Sequence, residues 1–161
     1  MNFAHLHLVL THFPPVLSLG GAISAAAGIL LPRRRRELLQ LALLLLIVVG
    51  ATMPLVYIAG DRAADSIGRV EGIQQEAIAP HQHAATIALS VSIGAALIAV
   101  ALLIVERRRG GLSPVLRLLV LVVAIASAAS IGWTAGLGGE IHHPEIHSLG
   151  SGLSFVLFSR L

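Results

Sequence analysis

Residues 38–60 read LLQLALLLLIVVGATMPLVYIAG, and they follow directly on the run Pro32-Arg33-Arg34-Arg35-Arg36-Glu37. A stretch of about 20 apolar residues without a charge is long enough to cross the hydrocarbon of a bilayer as a helix. The alternation expected of a barrel strand is missing, and a lipid-embedded backbone must satisfy its own polar groups, so the stretch is a transmembrane helix. Working outward from it, three further runs have the same character, at about 6–31, 84–105 and 114–138. Only Arg117 places a charge inside any of them, one turn into the fourth, where its stem can carry the guanidinium back to the boundary. The fold class is therefore an all-α membrane protein, a four-helix bundle occupying residues 1–161 as one domain. An outer loop covers 61–83 and a C-terminal outer segment covers 139–161.

Composition agrees. Of 161 residues, 56% are hydrophobic and 12% charged, and the latter is about half the share of a soluble domain. Mean hydropathy is +0.88. A soluble globular enzyme and a disordered chain are both excluded. There are no cysteines, which removes disulfides, thiolate metal ligands, iron–sulfur clusters and covalent c-type haem. The formal charge is +3, and all 11 basic residues are arginine. They gather in short runs between apolar segments, which is not a nucleic-acid pattern.

Arginine placement sets orientation. Arg33–Arg36 join spans one and two, and Arg107–Arg109 join spans three and four. The positive-inside rule puts both runs in the cytoplasm. The expected location is then the bacterial cytoplasmic (inner) membrane, multi-pass, with both termini and the 61–83 loop extracytoplasmic. The N-terminus has neither a positive n-region nor an A-x-A site, so it is read as part of the first span. Pro14 and Pro15 should kink that span or mark a late helix start. The loop carries an apolar beat at Ile67, Val70, Ile73, Ala77 and Ile78, which suits an amphipathic segment on the outer face.

The chain reads as two similar hairpins. Each opens with histidines, ascends to an arginine run and returns to an aromatic followed by Ala-Gly, as Tyr57-Ile58-Ala59-Gly60 and Trp133-Thr134-Ala135-Gly136. Such hairpins would be parallel repeats about an axis along the membrane normal.

All eight histidines fall on the outer side: His5, His7 and His12, then His81 and His83, then His142, His143 and His147. A rise of about 1.5 Å per residue puts His12, His7, His81 and His83 at about one level, near the outer boundary. Gly136, Gly138 and Gly139 can end the fourth helix, which would let the segment Glu140–His147 fold over the bundle mouth. Interface histidines can simply hydrogen-bond headgroups or water, but three clusters on one face suit a shared ligand. One chemistry is a b-type haem, which takes two axial imidazoles from facing helices. His12 with His81 or His83 can supply that pair, with His7 and His143 as further cofactor-binding positions and Arg62 and Arg69 for the propionates. The other is a non-haem iron, copper or zinc ion held by His12, His81, His143 and Glu140, with Glu76 nearby.

The segments His7-x-x-x-x-His12-Phe13-Pro14, Ala59–Ala64 (AGDRAA), 71–85 (EGIQQEAIAPHQHAA) and 137–146 (LGGEIHHPEI) together resemble a group of small bacterial four-span membrane proteins whose function is unassigned. The resemblance covers about residues 5–147. It implies that His7, His12, Asp61, His81, His143, Pro144 and Glu145 are the recurring positions, and it favours His81 over His83. The group usually has Asn at the position of Thr11, Glu at that of Gln82 and Arg at that of His142. Related four-span modules stand beside Rieske and cytochrome modules, which implies electron transfer. The expectation is a small redox protein binding haem b and exchanging electrons with quinol or an extracytoplasmic redox protein, alone, as a homo-oligomer or within a larger complex. A non-haem metal protein and a cofactor-free structural subunit are the alternatives. A transporter is disfavoured because no acid or base interrupts a span centre.

Overall fold

The structure, a computed structural model, describes residues 3–67 and 75–142. Its order is α1 (Phe3–Leu10), α2 (Phe13–Leu30), a 3-10 turn (Pro32–Arg34), α3 (Arg35–Ile67), α4 (Gln75–Arg109) and α5 (Pro114–His142). Four segments are long and apolar enough to cross a membrane: His5–Leu30, Pro32–Ala64, Glu76–Arg109 and Pro114–Ile141. This is a multi-pass membrane protein, and the four-helix bundle expected from the sequence is what forms.

The first span breaks where its prolines predict. α1 stops at Leu10, and α2 restarts at Phe13 with a proline in its first turn. Pro14 and Pro15 are tolerated there because first-turn N–H groups have no helical acceptor. Helices α2, α3, α4 and α5 close a ring, each packed on the next, and α1 lies against α3. Large apolar side chains such as Val16, Leu30, Leu97 and Val115 point outward, where a lipid tail is the natural neighbour.

Two expectations of extent change. The outer loop 61–83 is helical in its described part, because α3 continues to Ile67 and α4 already begins at Gln75. Helical hydrogen bonding does not stop at the membrane boundary, and Ala63 and Ala64 favour its continuation. Gly136, Gly138 and Gly139 do not end the fourth helix, since α5 runs on to His142 and Glu140 and Ile141 stay helical. The link between α3 and α4 and everything from His143 onward lie outside the described residues. That includes Arg69, His143 and His147 and the C-terminal segment.

The repeat is visible in burial. The buried positions Pro14, Ser18, Gly21, Ala25 and Gly28 of α2 recur at one constant offset as the buried Ala88, Ser92, Ala95, Ala99 and Leu102 of α4. Ala42, Leu46, Val49 and Met53 of α3 recur at a second constant offset as Val120, Ala124, Ser127 and Ile131 of α5. In this register Tyr57 matches Ala135. The sequence pairing of Tyr57 with Trp133 is therefore shifted, because it followed the aromatic boundary residues rather than the buried face.

Small residues let these helices approach closely. Gly50 is the tightest place, where an added Cβ would fall on Ala96 Cβ and lie 2.8 Å from the Ser92 carbonyl. At the arginine end, the buried Glu106 carboxylate takes Arg36 Nε at 2.7 Å and Gln40 Nε2 at 2.8 Å. This clamp ties α3 to α4.

Candidate functional site

At the end away from the arginine runs the bundle opens into a cavity of about 670 Å³. Its size falls in the range of small-molecule sites, about 300–1,000 Å³. Leu8, Pro14, Met53, Val56, Ala88 and Ile131 give it apolar walls, while Tyr57, Asp61, Gln82 and Thr86 make its polar positions. Val49, Met53, Ala88 and Ile131 form a small packed cluster at its base.

His7 and His81 occupy equivalent seats in this cavity. His7, on α1, donates Nδ1–H to the Val56 carbonyl of α3 at 3.1 Å. His81, on α4, donates Nδ1–H to the Thr134 carbonyl of α5 at 3.0 Å. A carbonyl can only accept, so Nδ1 carries the hydrogen in each bond, and the neutral ring keeps its lone pair on Nε2. One helical turn beyond each carbonyl stands a glycine. A Cβ at Gly60 would lie 2.6 Å from His7 Cε1, and one at Gly138 would lie 3.0 Å from His81 Cε1. His7 and His81 are related by the α2–α4 offset. Val56 with Thr134 and Gly60 with Gly138 are related by the α3–α5 offset. The two hairpins therefore carry two equivalent histidine seats, each half-buried.

The remaining residues expected at the site are distributed differently. His12 lines the cavity but is exposed at the α1–α2 break, and as the residue preceding α2 it makes no capping bond. His83 is exposed and also lines the cavity. Glu140 is half-buried on α5 and is not among the described lining residues. Arg62 is likewise outside the lining, with its guanidinium 4.8 Å from the Phe3 ring centroid. Among the described residues no three His, Asp or Glu side chains converge on a possible metal position. His143 falls outside the described residues.

A second polar chain runs at the cavity between α3 and α4. Thr86 Oγ1 donates to the Gln82 carbonyl at 3.0 Å, so its hydrogen is committed. Tyr57 Oη, 3.2 Å away, must then be the donor to Thr86 Oγ1. Its lone pairs remain free to accept. Sequence reasoning missed Gly60 and Gly138 as seats and the backbone acceptors Val56 and Thr134. The only advance signal was that a glycine lies in the Ala-Gly end of one hairpin and in the Gly-rich end of the other.

Fold and cavity together define the class: a multi-pass membrane four-helix bundle of two equivalent hairpins, with paired histidines seated in a cavity at one end. The chain matches no protein-family model, no curated protein and no solved structure.

Proposed function

We propose that the protein is a small membrane redox protein that binds a b-type haem between His7 and His81 and passes electrons at that end of the bundle. The observation that carries this reading is the pair of equivalent imidazoles, each with Nδ1–H fixed on a backbone carbonyl and Nε2 left as a ligand. Ligating histidines commonly donate their second ring nitrogen to such an acceptor, which fixes tautomer and orientation. A haem brings four equatorial nitrogens of its own and asks the protein for two axial donors, which one pair of seats can supply. The bound haem would contribute one-electron oxidation and reduction. The cavity volume and apolar walls suit a macrocycle, and Tyr57, Asp61, Gln82 and Thr86 suit its polar edge.

The axial pair proposed here is His7 with His81, in place of His12 with His81. His12 has neither the backbone anchor nor a counterpart, since its repeat equivalent is Thr86. A non-haem iron, copper or zinc site asks for three or more protein donors, and the described residues offer no such group. His143, a further donor expected for such a site, lies outside the described residues. The arginine runs favour the bacterial inner membrane with the histidine end extracytoplasmic, where a quinol or a soluble redox protein could exchange electrons.

The test is the visible spectrum of the purified chain after expression with ample haem. A Soret band at one haem per chain is expected, lost in the His7→Ala/His81→Ala variant. A colourless protein under those conditions would overturn the proposal.

A further inference from the structure

We infer that the cleft between α2 and α5 at the arginine end binds a phosphate group, supplied by the headgroup of an anionic phospholipid. The cleft holds about 170 Å³ and is lined by Ile29, Arg35, Pro114, Arg117 and Leu118. It lies at the far end of the bundle from the histidines and does not depend on the haem reading.

Both guanidiniums are held in place. Arg35 Nε donates to the Gly28 carbonyl at 3.3 Å, and Arg117 Nε donates to the Leu112 carbonyl at 2.7 Å. Each bond uses one of five N–H donors, so the two terminal NH₂ groups of each fork remain for a ligand. Arg36 is neutralised by Glu106, but neither Arg35 nor Arg117 has a carboxylate partner among the described residues. Two half-buried cations therefore line one small cleft with no carboxylate ion pair among the described residues. A planar fork matches phosphate oxygens in geometry and charge. Next to the cations the cleft wall is Ile29 and Leu118, and Leu118, one residue further into the span than Arg117, is itself exposed. A phosphate above an acyl chain fits that order of charge and apolar surface. Basic pockets between membrane helices near the boundary are a known form of anionic headgroup site.

The test uses the full chain in neutral detergent micelles doped with phosphatidylglycerol or phosphatidylcholine, read by native mass spectrometry and thermal unfolding. Inorganic phosphate alone forms a third arm. Phosphatidylglycerol should bind and raise the unfolding temperature, while phosphatidylcholine should do neither. Arg35→Gln/Arg117→Gln should weaken phosphatidylglycerol binding at least tenfold, while the exposed-arginine control Arg33→Gln/Arg108→Gln should weaken it less than threefold. If the first variant fails to fold, Arg117→Gln alone should still lower binding at least threefold. Equal losses in variant and control, equal binding of both lipids, no effect of Arg117→Gln, or inorganic phosphate matching the lipid would each overturn the inference.

Discussion

Replacing Gly60 by alanine separates the histidine seat from the stability of the fold. The added Cβ would stand 2.6 Å from His7 Cε1, where an ordinary contact begins at 3.4 Å, so the ring must move by about 0.8 Å. The ring is the far end of a rotatable side chain, so it gives way before the α3 backbone does. A move of that size away from α3 stretches the 3.1 Å Nδ1–carbonyl bond beyond useful geometry. Losing one such bond costs about 1 kcal/mol. Alanine in place of glycine inside a helix returns about 1 kcal/mol. The two nearly cancel, so thermal unfolding should shift by no more than a few degrees. Haem affinity should fall much further, because loss of an outer-shell partner typically costs about 10–100-fold in metal binding. Gly138→Ala meets His81 at 3.0 Å and needs a smaller displacement, so its loss should be the lesser of the two. The assay is a haem titration followed at the Soret band, beside a melt of the same samples. Unchanged haem affinity in Gly60→Ala, or a larger loss in Gly138→Ala, would refute the reasoning.

Other outcomes follow from the packing. Gly50→Ala should destabilise the bundle by about 1–3 kcal/mol, because the new methyl meets Ala96 Cβ and the α4 backbone; Gly94→Ala, which meets nothing within 4 Å, should be neutral or stabilising. Denaturant unfolding in micelles separates the two. At the opposite end, Arg36→Ala should cost more than Glu106→Gln, since the first leaves a buried carboxylate with only Gln40 and the second removes the charge itself. The same unfolding assay reads the order, and a reversed order would contradict the clamp. A reporter active only outside the cytoplasm should be silent when inserted between Gly110 and Gly111 and active when fused ahead of Phe3.

The four spans were legible because composition alone decides them: residues 38–60 can be little else but a helix in lipid. Their ends were less legible, since polar residues such as Asp61 and Arg62 read as loop while the helix carries on through them. The convergence of the described histidines on one end was also legible from chain direction. Which histidines face the cavity was not. Rise along a helix gives depth, whereas facing depends on azimuth, and residues five apart differ by about 140° even on an unbroken helix. His7 and His12 are further separated by the break at Thr11–His12. The repeat could be seen, but its register could not, because Tyr57 and Trp133 mark the boundary while Gly60 and Gly138 mark the histidine seats. Glu106 was hidden because its partners, Arg36 and Gln40, stand on another helix.

The most direct test of the account is the optical and electron paramagnetic resonance spectrum of haem-loaded protein in three single variants. With His7 and His81 as axial ligands, the wild type should be six-coordinate and low-spin. His7→Ala and His81→Ala should each become high-spin or lose haem, and His12→Ala should keep the wild-type spectrum. A low-spin signal that survives both His7→Ala and His81→Ala, or one that disappears in His12→Ala alone, would contradict the claim that the duplicated seats hold the cofactor.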